Sequence, residues 1–137
     1  MEIVSKICKE LESRLDNGLN DYNKKFSDTF NAVEEDFGFY AYDGDELMGG
    51  LAGKIDRGNW AYIGTLFIED KYRNRDIGTE LVKRVEEMAG EKRCVGIRVA
   101  TWSFQGRGFY EKMGFKVWGE LQDFPKGASL IVLAKKM

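Results

Sequence analysis

At 137 residues the chain has room for one hydrophobic core and not for two, so a single domain over residues 1–137 is expected. Its 21 basic and 23 acidic side chains leave a net charge of -2, which supplies no general attraction to a phosphate backbone and speaks against nucleic-acid binding. No run approaches the roughly 20 apolar residues of a membrane-spanning helix, and charges come too early for a secretory signal, so Cys8 and Cys94 read as thiols of a soluble cytoplasmic protein.

Histidine is absent, which removes the Ser-His-Asp triad, the histidine zinc site and the imidazole base from consideration. Two separated cysteines do not make a four-ligand thiolate site either, and no metal is expected. Proton transfer then falls to carboxylate, tyrosine, lysine, thiol or water.

Residues 5–26 carry Ile7, Leu11, Leu15, Leu19 and Tyr22 at helical spacing, predicting an amphipathic helix that Gly18 bends or divides. Residues 31–36 read as a polar connection. The aromatic run 37–42, the turn 43–46, the strand 47–55, the turn 56–59 and the strand 60–68 predict an antiparallel meander. From Ile77 the period changes, with Ile77, Leu81, Val82, Val85, Met88 and Ala89 on one helical face and Gly90 as the expected stop. Residues 94–100 supply a strand that closes a β-α-β crossover. Ser103 is the expected N-cap of a short helix reaching Met113, with Gly114 ending it. Strands at 115–121 and 129–135 complete an α+β domain with a mostly antiparallel mixed sheet flanked by helices.

Chemistry concentrates at Tyr72, Arg73, Asn74, Arg75, Asp76, Ile77, Gly78 and Thr79, between a hydrophobic strand and a regular amphipathic helix. A strand fixes the entry of such a loop, and the unpaired amides of the helix's first turn face whatever lies above it, which is the requirement for an anion cradle. Gly78 lets a pyrophosphate approach, and Arg73 and Arg75 add charge. The alternative is a basic turn with no ligand.

This stretch resembles the cofactor-binding motif of the GNAT N-acetyltransferase superfamily: Arg or Gln, two residues, Gly, one residue, then Gly or Ala. Arg73 and Gly78 fill its ends, while Asp76 stands at its middle glycine and is expected to turn its carboxylate away, capping the helix. Residues 108–115 are similar to a second signature, a short helix carrying a tyrosine and ending at a glycine, and the resemblance covers about residues 37–137. It implies acetyl-coenzyme A as cosubstrate. Backbone groups of Leu66, Phe67 and Ile68 would meet the pantetheine arm, and amides from Arg73, Asn74, Arg75, Asp76, Ile77, Gly78 and Thr79 the pyrophosphate. Tyr110 would face the thioester sulfur as the catalytic acid, against an alternative in which it only packs beside Phe109.

The implied reaction is direct attack of a primary amine on the thioester through a tetrahedral intermediate, stabilised by an N–H near Phe67. An alkylammonium of pKa about 10.4 loses its proton at pH 7 at a cost near 4.6 kcal/mol, and Glu34, Glu35, Asp36, Asp56 and Glu69 are the carboxylates considered as base. Trp60 with Tyr62, and Trp102 with Phe104, either border the acceptor or pack the core. The acceptor is a small molecule or a peptide amine, and a non-catalytic coenzyme A-binding module is a further alternative. The resemblance also implies a homodimer, in which the run Leu130 to Leu133 joins two subunits, unless that run is an interior strand.

Overall fold

The computed structural model describes residues 1–27 and 34–137, so residues 31–33 of the expected polar connection lie outside the described residues. Helix α1 (Lys9–Lys24) is followed by strands β1 (Glu35–Asp43), β2 (Glu46–Ile55) and β3 (Trp60–Ile68) and a 3-10 turn (Asp70–Tyr72). Then come α2 (Ile77–Glu91), β4 (Gly96–Trp102), α3 (Arg107–Lys112), β5 (Lys116–Gln122) and β6 (Ser129–Lys136). The strands form one sheet in the order β1-β2-β3-β4-β6-β5, in which β3 and β4 run parallel and the other neighbours antiparallel. This is the mixed α+β architecture that the change of hydrophobic period predicts.

Helix α2 makes the crossover from β3 to β4 and explains where the core sits. Its stripe of Leu81, Val82, Val85 and Ala89 is buried against Leu51, Ile63, Ile97, Val99 and Leu133 of the sheet. Each fully buried Val or Leu is worth about 1.5 to 3 kcal/mol, so a charge at Val85, which has no exposed surface, would unseat the helix. Helix α3 lies on the same core through Tyr110, with Phe115 beside it.

The sheet splits because of one extra residue. Along β2 and β3 the register passes from Gly53 opposite Ile63 to Ala52 opposite Thr65, leaving Gly64 as a bulge. Gly53 is required there, since a Cβ would lie 1.9 Å from the Tyr62 carbonyl oxygen. A bulge bends its strand and shifts the alternation by one residue. Ala61 and Ile63 face the core before it, Leu66 and Ile68 after it. The parallel pairing of β3 with β4 covers only Trp60 to Ile63 against Gly96 to Val99, and beyond Gly64 the two strands part into a V.

Several expected boundaries move. Helix α1 is shorter than residues 5–26 and runs unbroken through Gly18. Helix α2 passes Gly90 and stops at Glu91, with Arg93 in the left-handed conformation at φ 55°. Ser103 does not cap α3: Gly106 holds that position, and the Ser103 hydroxyl accepts the Ser129 N–H at 3.1 Å. The run Leu130 to Leu133 belongs to a strand between β4 and β5, with Ile131 and Leu133 buried, so it needs no second subunit. Helix α1 buries none of its residues, and Leu15 is 73% exposed. One tie to the body is the Asn20 side-chain oxygen, which accepts from the Arg57 guanidinium.

Candidate active site

The V between β3 and β4 is a cleft of about 1130 Å³, closed at one end by the loop into α2 and lined by both helices that cover the core. Backbone parity sets its chemistry. The Glu69 N–H bonds to the Met48 carbonyl at 2.9 Å, and in an antiparallel pair hydrogen-bonded positions alternate. Phe67 and Thr65 therefore turn their amides to β2, opposite Gly50 and Ala52. Leu66 and Ile68 turn theirs to the side that β4 has vacated. The Ile68 carbonyl confirms the direction by accepting the Arg73 Nε–H at 3.0 Å. Near Phe67, the N–H groups turned toward the cleft are thus those of Leu66 and Ile68, and the Phe67 ring stands exposed on the sheet face away from α2.

The loop is built from alternating backbone handedness. Asn74 and Asp76 both take φ 62°, a region that Asn and Asp enter more readily than other non-glycine residues. Asp76 precedes α2 but makes no side-chain cap bond, contrary to expectation, because its left-handed backbone replaces the extended one that carries a capping oxygen to the first-turn amides. Those amides are therefore left to the cleft, which Asp76, Ile77, Gly78 and Thr79 line. A Cβ on Gly78 would meet the Phe109 ring at 3.4 Å, an ordinary contact, so the protein's own packing does not demand glycine there. Arg73 is pinned by Ile68 and by Asp70 at 2.9 Å, bracing the loop. Arg75 lies over the Tyr72 ring and is the one residue of the run 73–79 that is not on the cleft wall.

Tyr110 faces the same cleft from α3. It is 5% exposed, held edge-to-face by Phe109 at 5.0 Å and Phe115 at 5.5 Å, and burial pushes its hydroxyl pKa up to about 12. The phenol is a permanent donor at neutral pH and not a base. A half-buried knot missed by sequence reasoning fixes the other arm: the buried Thr101 hydroxyl donates to the Gln105 side-chain oxygen at 3.3 Å and accepts the Gly106 N–H at 3.1 Å. Their four- and five-residue separations resemble any turn, so no sequence signal marks them.

The carboxylates considered as base are not brought to the cleft. Glu34 pairs with Lys54, Glu35 with Lys92, and Asp56 with Arg98 at 2.9 Å, at the end of the sheet where β3 begins. Asp36 lies opposite Lys54 on the edge strand, and Glu69 is exposed just past β3. Among the described residues lining the cleft, Asp76 is the only carboxylate. Trp60 and Tyr62 sit at that far end too, with Arg98 over the Tyr62 ring at 4.3 Å. Burial raises the Cys94 thiol pKa, which keeps it protonated and inert.

The model of the Acetyltransferase (GNAT) family matches residues 5–115. Blasticidin-S acetyltransferase of Streptomyces morookaense is 33% identical over 93 residues, 67% of this chain and 68% of that protein. The crystal structure of an acetyltransferase from Bacillus cereus superposes with a TM-score of 0.89 at 24% identity, over 99% of this chain and 98% of that one. An aminoglycoside 6'-N-acetyltransferase complexed with coenzyme A gives 0.69 at 20% identity, over 98% and 97%.

Proposed function

This chain belongs to the acetyltransferase (GNAT) family and is an acetyl-coenzyme A-dependent N-acetyltransferase, and from that premise we propose that its acceptor is a small primary amine which attacks the thioester directly. The observation carrying the assignment of residues is the unpaired arm of β3 beside an uncapped helix start. Leu66 and Ile68 offer strand-like partners to a pantetheine amide, and the first amides of α2 at Ile77, Gly78 and Thr79 offer an anion site for pyrophosphate. Gly78 keeps that approach clear. Arg73 and Asn74 shape the loop, and Arg75 adds charge from outside the wall.

The chain's part in the chemistry is to position and to donate. A cleft-side N–H of Leu66 or Ile68 stabilises the oxyanion as the amine adds. Tyr110 donates a hydrogen bond to the departing sulfur. Full transfer from a phenol near pKa 12 to a thiolate whose thiol has pKa about 8.5 would be uphill by about 5 kcal/mol, so the donor role replaces that of a complete acid. Asp76, the one carboxylate among the described residues lining the cleft, stands at the start of α2 in the proposed pyrophosphate loop, so water takes the ammonium proton. The antibiotic named for the Streptomyces relative favours a small acceptor over a peptide.

Thiol release measured across a panel of small amines and amino-terminal peptides tests this. Turnover with peptides alone would overturn the small-acceptor reading, and no turnover with either would leave only cofactor binding. A cytosolic homodimer completes the proposal, supported by the exposed α1 stripe of Leu11, Leu15 and Leu19. A monomeric mass in solution scattering at micromolar concentration would reject the dimer.

A further inference from the structure

Aromatic rings crowd the mouth of the cleft on the sheet face opposite α2. Trp102 and Phe104 line it from the β4 arm, and Phe124 joins them from the β5–β6 connection. The Trp102 ring lies 6.2 Å from Phe104 at 12° and 6.4 Å from Phe124 at 15°, both near-parallel, and the indole N–H is fixed on the Phe124 carbonyl at 2.6 Å. Phe104 is nonetheless 70% exposed. On the other arm Phe67 stands exposed on the same face. Tyr40 shares its cross-strand rung through Gly50 and lies over that glycine, 2.5 Å from where a Cβ would be.

The hydrogen bond fixes the Trp102 indole, and the near-parallel stacking on it leaves the exposed Phe104 ring as an aromatic face of set orientation. Core packing does not account for it, since Phe104 is left open to solvent. Charge narrows the guest further. The described lining holds Asp76 as its one carboxylate beside Lys112 and an Arg73 already paired with Asp70, so it gathers no excess of negative charge for an acceptor carrying several ammonium groups.

We propose that Trp102, Phe104 and Phe124 form a stacking platform that selects acceptor amines bearing a flat π-conjugated ring, aryl or heteroaryl, over aliphatic and polycationic amines. This rests on the small-amine acetyltransfer reading and deepens it. The flat group lies against Phe104 and Trp102, and the amine on its flexible arm reaches the thioester between Leu66, Ile68 and Tyr110. Ring stacking of this kind is worth about two- to tenfold in affinity beyond the area it buries.

The test uses two amines of matched size, 2-phenylethylamine and 2-cyclohexylethylamine, which differ in the flatness of the ring. Calorimetric binding to the full chain saturated with coenzyme A is measured beside kcat/KM with acetyl-coenzyme A. Wild type should favour the phenyl compound by at least about threefold in both. Phe104→Leu, at an exposed position, should bring the ratio toward one, and Trp102→Leu should do the same, with thermal stabilisation by coenzyme A showing that each variant is folded. A wild-type ratio of one, or a preference that survives both substitutions, overturns the platform. Equal acetylation of both amines with no binding preference removes the platform and leaves the transfer reading intact. A binding preference without acetylation of either supports the platform and counts against the transfer reading.

Discussion

Replacing Tyr110 by Phe isolates the one hydroxyl that α3 presents to the cleft. The ring keeps its edge-to-face contacts with Phe109 and Phe115, and the position is 5% exposed, so the fold should lose less than about 1 kcal/mol. What disappears is a donor to a sulfur that becomes anionic as the carbon-sulfur bond breaks. Hydrogen bonds to charged groups contribute about 1.5 to 3 kcal/mol, which is about a 10- to 150-fold fall in rate, while coenzyme A affinity changes little. Because burial sets the phenol pKa at about 12, the hydroxyl does not titrate between pH 6 and 9. The variant should therefore be slower by the same factor across that range, with the shape of the profile preserved. Single-turnover acetyl transfer at saturating cofactor, with the best amine of the panel, measures this. A wild-type rate would return Tyr110 to packing. A loss confined to one limb of the profile would show that it titrates in the working range, and the burial argument would fall.

Gly78→Ala should leave the apo protein as stable or slightly more so, since the added Cβ meets Phe109 at 3.4 Å and Ala is favoured over Gly inside helices by up to about 1 kcal/mol; the thermal shift produced by coenzyme A should shrink, and an undiminished shift would remove Gly78 from the pyrophosphate site. With water as proton acceptor, kcat/KM should climb about tenfold per pH unit from pH 6 toward 9, following the neutral amine, and a plateau near pH 6 would reveal a base in the chain. Alkaline unfolding should expose Tyr110. Its folded pKa of about 12 lies above the ordinary value of 10.0 because burial disfavours the phenolate, so stability is untouched below pH 10 and falls by about 2 to 3 kcal/mol as pH rises toward 12, a loss that Tyr110→Phe escapes. Melting curves of wild type and Tyr110→Phe should converge or cross over that window, and parallel curves would contradict the shift.

The elements legible in the sequence are those whose signal is local. The stripe of α2, the turn at Asp43 to Glu46 and the basic loop before a helix each carry their instruction within a few residues. Positions along the sheet are not local. Asp56 and Glu34 looked as available as any carboxylate, and only the direction of β3 shows that the cleft opens at the opposite end, where Ile68 leads into the loop. Parity past Gly64 was equally hidden, because the bulge depends on which glycine of β2 lies across from it. Asp76 takes the left-handed backbone at the place of the motif's middle glycine, and that conformation defeats the cap expected of it.

The bulge also decides how one sheet serves two molecules. Before Gly64, β3 alternates a core side chain with one on the open face, and both of its edges are paired. After it, one edge is free and the alternation is shifted by one residue, so Leu66 and Ile68 place side chains on the core and turn their amides to the cleft. Phe67 between them turns its amide to β2 and its ring outward. In the proposed reaction consecutive residues would divide the work, Leu66 and Ile68 offering backbone at the free edge to an extended amide chain and Phe67 offering a ring on the face away from α2. A cosubstrate bound through the loop at Gly78 and an amine resting on the rings near Trp102 would reach the same gap from opposite faces. Deleting Gly64 should restore a continuous alternation, extend the pairing with β4 and close the gap. The protein should then lose coenzyme A stabilisation and amine turnover together while keeping a cooperative melt, and retention of either function would show that the V does not depend on that residue.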